Sequence, residues 1–263
     1  MKLIHRIGVV TAACAMSLTT FPAPAAENVT LTADVASSAL KPFDAHIFRE
    51  FEKRHPGVKI EAKSLSGGAV QADIDAATNP VDIGIVGKTQ TDFLDKQGRI
   101  NKPVAILTQK EAILVPWRGA KVKSLKDLGN PGVKVGLADA GSAVGTPARV
   151  LLKKAADDPA YGSDFPQKVV ANVQCKGAKG TDMPDSIRSG ACDAAIGFVS
   201  DKDNNHIQTV AIPDNLNVET PYYVFVPKVS KNAKLADELV KFINSGYGMS
   251  VLKSYNYLPP PKA

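Results

Sequence analysis

With three cysteines, four histidines and one tryptophan in 263 residues, the sequence has little from which to build a metal centre or a catalytic dyad. No CxxC or HxxxH spacing occurs, which removes the common zinc signatures. Serine nucleophiles need a neighbouring base, and the histidines beyond the first few residues, His46, His55 and His206, fall in no recognisable triad. An exported hydrolase is therefore the minor alternative, with Ser66 its first nucleophile to test. No stretch approaches the roughly 20 apolar residues that a membrane helix needs. Nor does any Lys/Arg cluster interleave with aromatics, so no nucleic-acid surface is expected. Linkers, internal repeats and low-complexity segments are absent from the sequence as well.

What is present is an ordinary globular composition, 44% apolar and 22% charged, enough for one large domain or two small ones. Residues 1 to 25 read as a secretory signal peptide. Lys2 and Arg6 make a basic start, Ile7 to Ala15 an apolar run, and Ala23-Pro24-Ala25 a small-x-small cleavage site. Cys14 invites a lipoprotein reading, but Thr11 stands where a lipobox has leucine. Cleavage would remove two of the six net positive charges and leave a mildly basic exported chain. In an oxidising compartment the remaining pair, Cys175 and Cys192, is expected to form a disulfide, with two buried thiols as the alternative.

The chain reads as strands alternating with helices, which implies parallel sheets with ligands at the carboxyl ends of strands. Its most informative stretch is VGLADAGSAVGTPARVLLKKAA, residues 135–156. A short apolar strand runs into a small-residue loop, and Thr146 as N-cap with Pro147 as first helical residue opens a helix. Such a joint aims unpaired backbone N–H groups and the positive end of a helix dipole at one point, a place for an anion. Helix starts at Ser38, Ser66 and Thr181 repeat the design. Strands are also expected at Val29–Val35, Val58–Ala62, Val81–Val86, Ala112–Pro116, Lys168–Val173, Ala191–Val199, Gln208–Ile212 and Tyr222–Val226. Helices are expected to carry Phe43, Ile47, Phe48 and Phe51 on one buried face, and Leu235, Leu239, Val240 and Ile243 on another.

The segments VASSALKPFDAHIFREFEKRHPGVKI, SGGAVQADI with NPVDIGIV, the stretch from AILVPWRG to GSAVG, SIRSGACDAAIGFVSD, and IPDNLNVETPYYVFVPK with the final helices resemble the periplasmic molybdate-binding proteins of ABC transporters. The resemblance implies a type II periplasmic binding protein, two α/β lobes joined by two crossing strands near Ile113–Pro116 and Pro221–Val226. On it, residues 26–113 with 224–263 form the first lobe and 114–223 the second. It implies a monomer that captures a small oxyanion in the periplasm, with molybdate or tungstate leading, and delivers it to an inner-membrane permease. No cofactor, catalytic residue or bare metal ion is implied.

In that family two serine hydroxyls, several backbone N–H groups and a tyrosine hydroxyl hold the dianion. A fully ionised oxyanion only accepts hydrogen bonds, so donors suffice. Carried over residue by residue, the first serine falls on Ser37 or Ser38, or on Ala39 without a gap, and Ser38 is favoured. The second falls on Gly67, with Ser66 one position earlier. The backbone donors fall on Gly145 and near Gly180 or Thr181, and the tyrosine falls on Phe198. Two hydroxyl donors are thus replaced, each worth about 1–3 kcal/mol if nothing compensates. Another anion or an organic acid is the alternative ligand.

Overall fold

The computed structural model describes residues 28–77, 80–177, 179, 181–203 and 205–261. The signal-peptide residues and Gly180 lie outside them. Two half-sheets share a single long strand. In the first, β1 (Val29–Ala36) lies between β2 (Val58–Leu65) and β3 (Ile83–Gly87), all parallel, with Val29 opposite Val58 and Ala33 opposite Ile83. Next comes β9 (Glu219–Phe225), antiparallel to β3, and then β4 (Val104–Pro116), antiparallel to β9.

Strand β4 pairs with β9 from Val104 to Lys110. From Glu111 onward it pairs instead with β7 (Ala194–Phe198) on one edge and β8 (Ile207–Ala211) on the other. Beyond β7 lie β5 (Val135–Gly136) and β6 (Val173–Cys175), parallel to one another and to β7. One continuous strand thus belongs to both half-sheets.

The apolar clusters follow the same division. One draws on residues 31–107 and 222–257, among them Leu31, Phe43, Phe51, Ile85 and Leu239. The other two draw on residues 113–216. Ile113, Leu151, Phe165 and Ile196 form one; Leu114, Val144, Met183 and Ile207 form the other. Each half therefore buries its own core, the first built from both ends of the described chain.

Helices cover the sheets in chain order. Short α1 (Leu40–Pro42) continues through a π turn at Phe43–Ile47 into α2 (Phe48–Arg54). Phe43, Ile47, Phe48 and Phe51 are all buried along it. Helix α3 (Gly67–Ala76) follows β2, and α4 (Lys88–Lys96) follows β3. The second half carries α5 (Gly145–Ala156), α6 (Phe165–Ala171) and α7 (Asp182–Arg188). The chain ends in α8 (Ala233–Ile243) and α9 (Gly246–Ser254), with Leu239 and Ile243 buried.

Three local expectations are corrected. Residues 168–171, expected as strand, are the last turn of α6: Pro166 occupies its first turn, and Phe165 and Val169 four residues apart form its buried side while Val170 is exposed. Strand β4 starts at Val104 rather than Ala112. Helix α5 starts at Gly145, and Thr146 does not cap it. Ser142 does that work instead, its hydroxyl oxygen accepting the Gly145 N–H at 2.8 Å.

Candidate functional site

Each parallel strand delivers a loop to the same region. Residues 37–39 follow β1, 66 follows β2 and β3 ends at Gly87; from the second half come 137–144 after β5, 176, 177, 179 and 181 after β6, and 199–203 after β7. These loops meet across β4. Ala143 packs against the first half's core. Gln109, at the centre of β4, is 1% exposed and ties the two sides together. Its Nε2 donates to the Ser38 carbonyl at 3.2 Å, and its Oε1 accepts from Ser200 Oγ at 2.6 Å. Tyr257 OH also donates to the Ser38 carbonyl at 3.0 Å. Ser38 Oγ and Tyr222 OH are 2.8 Å apart.

Two cavities open between the halves. One, about 360 Å³, is lined by Ser37, Ser38, Thr181, Ser200, Asp201 and Tyr257, with Lys41 and Lys202 also on its wall. The other, about 430 Å³, is lined by Gly87, Gln90, Ser142, Thr146 and Thr220 among others.

The residues singled out from sequence divide between these places. Ser37, Ser38 and Thr181 come together in the smaller cavity. Ser66 caps α3, its Oγ accepting the Ala69 N–H at 3.2 Å, and a Cβ on Gly67 would lie 3.4 Å from Gln90, which lines the larger one. Gly145 is buried behind the wall. Its N–H is already taken by Ser142, and any β-carbon there would collide with the Asp139 carbonyl, so the tight turn requires glycine. Phe198 lines neither cavity. Its ring is fully buried with Leu114, Val144 and Met183, and its N–H donates to Asp201 Oδ2 at 2.8 Å. The expectation of one shared capping design is also corrected: of Ser38, Ser66, Thr146 and Thr181, only Ser66 caps its helix through its side chain. Cys175 and Cys192 are joined in a disulfide.

The family of bacterial extracellular solute-binding proteins matches residues 31–258. The chain belongs to that family. Among solved structures it is similar to the periplasmic molybdate-binding protein of Azotobacter vinelandii, at 16% identity and a TM-score of 0.76, covering 88% of this chain and 100% of that one. The substrate-binding domain of a proposed molybdenum ABC transporter from Clostridium difficile is 23% identical, with a TM-score of 0.67 over 88% of this chain and 99% of that one. The sulfate-binding protein SubI of Mycobacterium tuberculosis is 16% identical, with a TM-score of 0.72 over 89% and 87%. Among curated proteins none matches. The fold is that of the type II periplasmic binding proteins.

In this solute-binding protein two acids as well as the hydroxyls set the electrostatics around the cleft, Asp201 half-buried on the cavity wall and Glu111 buried in β4. Desolvation pushes the Asp201 carboxyl up to about 7, against the pull of the Phe198 N–H and of Arg188. Burial holds the Glu111 carboxyl well above the usual range, and Asp201 adds to the effect. The Tyr222 hydroxyl is pushed up to about 12 and that of Tyr257 is raised as well, both chiefly by burial, so both are neutral donors at physiological pH.

Sequence reasoning passed over Gln109, Ser200, Asp201, Tyr222 and Tyr257 as site residues. For Gln109 and Glu111 the sequence offered no signal, because they sit in a polar run, Thr108 to Glu111, just before the strand expected at Ala112. No histidine lines the smaller cavity, although His46 and His206 contact residues that do, Tyr255 and Asp203. His46 Nε2 is 3.0 Å from Tyr255 OH, His55 stacks on Phe51 at 3.9 Å, and His206 lies beside Asp203. Among the described residues no group of three or more His, Cys, Asp or Glu is arranged to hold a metal ion.

Proposed function

We propose that this is a periplasmic binding protein that captures a small oxyanion, with molybdate or tungstate first, in the cavity lined by Ser37, Ser38 and Thr181 and passes it to an ABC permease. The observation that carries the reading is the convergence of hydroxyl donors from both halves on one cavity, held together through Gln109. The hydroxyl beside Ser38 comes from Tyr222 rather than from position 198. The relatives named for molybdate and sulfate support an oxyanion as the ligand class. We take the two half-sheets with their cores as the two lobes, divided a few residues earlier than positions 113 and 223, and hinged where β4 changes partners between Lys110 and Glu111 and where the chain returns from β8 to β9. Closure would then bring the serine loops onto ligand and favour the closed form.

The reading is one of binding without turnover, because no histidine is hydrogen-bonded to Ser38, Thr181 or Ser200 among the described residues: His46 meets Tyr255, His55 stacks on Phe51 and His206 lies beside Asp203. Lys41 and Lys202 favour a second reading, an organic anion with an oxyanion head, because both line the cavity and neither makes an ion pair among the described residues.

Isothermal titration of ligand-stripped mature protein with molybdate, then sulfate and phosphate, tests the first reading. One-to-one binding of molybdate is expected. A hydroxyl donating to a dianion contributes roughly 1.5–3 kcal/mol, so Ser38→Ala should weaken binding about 10- to 150-fold. A folded protein that binds none of the three anions would send the search to organic acids.

A further inference from the structure

The candidate cavity is not lined by donors alone. Asp201 sits in its wall beside Ser200 and Tyr257, one carboxylate oxygen taken by the Phe198 N–H. A carboxylate at that place repels a dianion but accepts a hydrogen bond from any ligand atom that carries a proton. We propose that Asp201 makes this site a receptor for an anion together with one proton: a protonated oxyanion donates its O–H to the carboxylate, whereas a fully ionised one is held once Asp201 has itself taken a proton from solvent. This inference rests on the oxyanion reading above.

The groups facing Asp201 support it from several elements. Glu111 on β4 is buried, with neither oxygen hydrogen-bonded among the described residues, and the Asp201 charge helps to raise its carboxyl, so the two acids oppose each other's ionisation. From α7, Arg188 favours the ionised form and Asp185 opposes it. Arg188 is also committed elsewhere, bonding Asp203 at 3.3 Å and Asp185 at 2.9 Å. Tyr222 and Tyr257, on β9 and the C-terminal segment, are neutral. Lys41, Lys202 and Asp203 complete the charged groups on the cavity wall. With its carboxyl pushed up to about 7, Asp201 needs little work to take the proton that an arriving dianion demands.

Calorimetry at pH 8 in two buffers of different ionisation enthalpy measures the proton directly. Molybdate, which brings no proton, is expected to draw more than about half a proton per anion bound, and its affinity to fall up to about tenfold per pH unit above 7. Hydrogen phosphate, which carries its own, is expected to bind without net uptake. In Asp201→Asn the amide stands in for the neutral acid. That variant should bind molybdate about tenfold more tightly at pH 8, take up no proton, and lose affinity for hydrogen phosphate. The wild-type proton count stands even where the variant fails to fold. Molybdate bound with no uptake overturns the proposal and leaves the oxyanion reading intact; a folded protein that binds neither anion overturns both.

Discussion

Replacing Glu111 with methionine is expected to stabilise the protein, by about 1–3 kcal/mol at pH 8, and to flatten the dependence of its stability on pH. Glu111 is 1% exposed, and neither carboxyl oxygen has a hydrogen-bond partner among the described residues. The backbone around it is fully satisfied, because Asn217 accepts the Glu111 N–H at 3.1 Å and donates to its carbonyl at 2.8 Å. The side chain alone is left without partners. A buried polar group in that state costs free energy that a similar-sized apolar side chain does not.

The direction with pH follows from the raised carboxyl. In the unfolded chain Glu111 ionises near its ordinary value of 4.5, while in the folded protein burial holds the proton on to a much higher pH. The folded state binds more protons across that interval, so stability falls as pH rises through it. Asp201 adds a second decline between 3.8 and about 7. Urea unfolding at pH 5 and pH 8 reads both effects. Methionine at 111 should widen its advantage at the higher pH, and Glu111→Gln should flatten the profile while keeping the cost of an unpartnered polar group. A methionine variant less stable than wild type at both values would mean that Glu111 has a partner in solution.

The same strand shows how far the sequence could be read. Periodicity located most of the elements because their buried faces are long and regular, as with Phe43, Ile47 and Phe51 or Leu239 and Ile243. Strand β4 was legible only in its second half. Its centre, Thr108 to Glu111, is a polar run that looks like a loop, although Thr108, Gln109 and Glu111 are all at most 4% exposed. Their burial comes from the passage of one strand between two half-sheets, a tertiary fact with no local signature. A similar override turned residues 168–171 from a strand-like apolar run into helix, with packing of Phe165 and Val169 deciding the matter.

The candidate site was legible where loops follow strands and obscure where long-range pairing supplies the groups. Ser37, Ser38 and Thr181 meet in one cavity; strand–loop–helix spacing was enough to suggest Ser38 and Thr181, and the family resemblance supplied Ser37. Tyr222 lies 184 positions from Ser38 in sequence, and only the pairing of β9 with β3 and β4 brings their hydroxyls together. Phe198 fills the core where the resemblance pointed to a tyrosine, and the tyrosine hydroxyl beside Ser38 belongs to Tyr222 on a different strand.

The disulfide offers a test that reaches the site without touching a residue that lines it. Cys175 ends β6 and Cys192 precedes β7, so the bridge ties together the two strands that flank β5. The 17 positions it spans include the loop bearing Thr181 and all of α7. In the chain-entropy account, closing a loop of this length contributes about 3 kcal/mol. Cys175→Ser with Cys192→Ser should therefore lower the thermal midpoint by about 6–12 °C, as should reduction of the wild type. The freed loop must then be ordered by ligand, so molybdate affinity should fall as well, while the proton count per anion, set by Asp201 on the far side of β7, should not change. A doubly substituted protein with the wild-type midpoint and affinity would mean that the pairing of β6 and β7 with β5 alone fixes this loop in the folded protein and that the bridge's constraint on the unfolded chain is offset by its cost in the folded one.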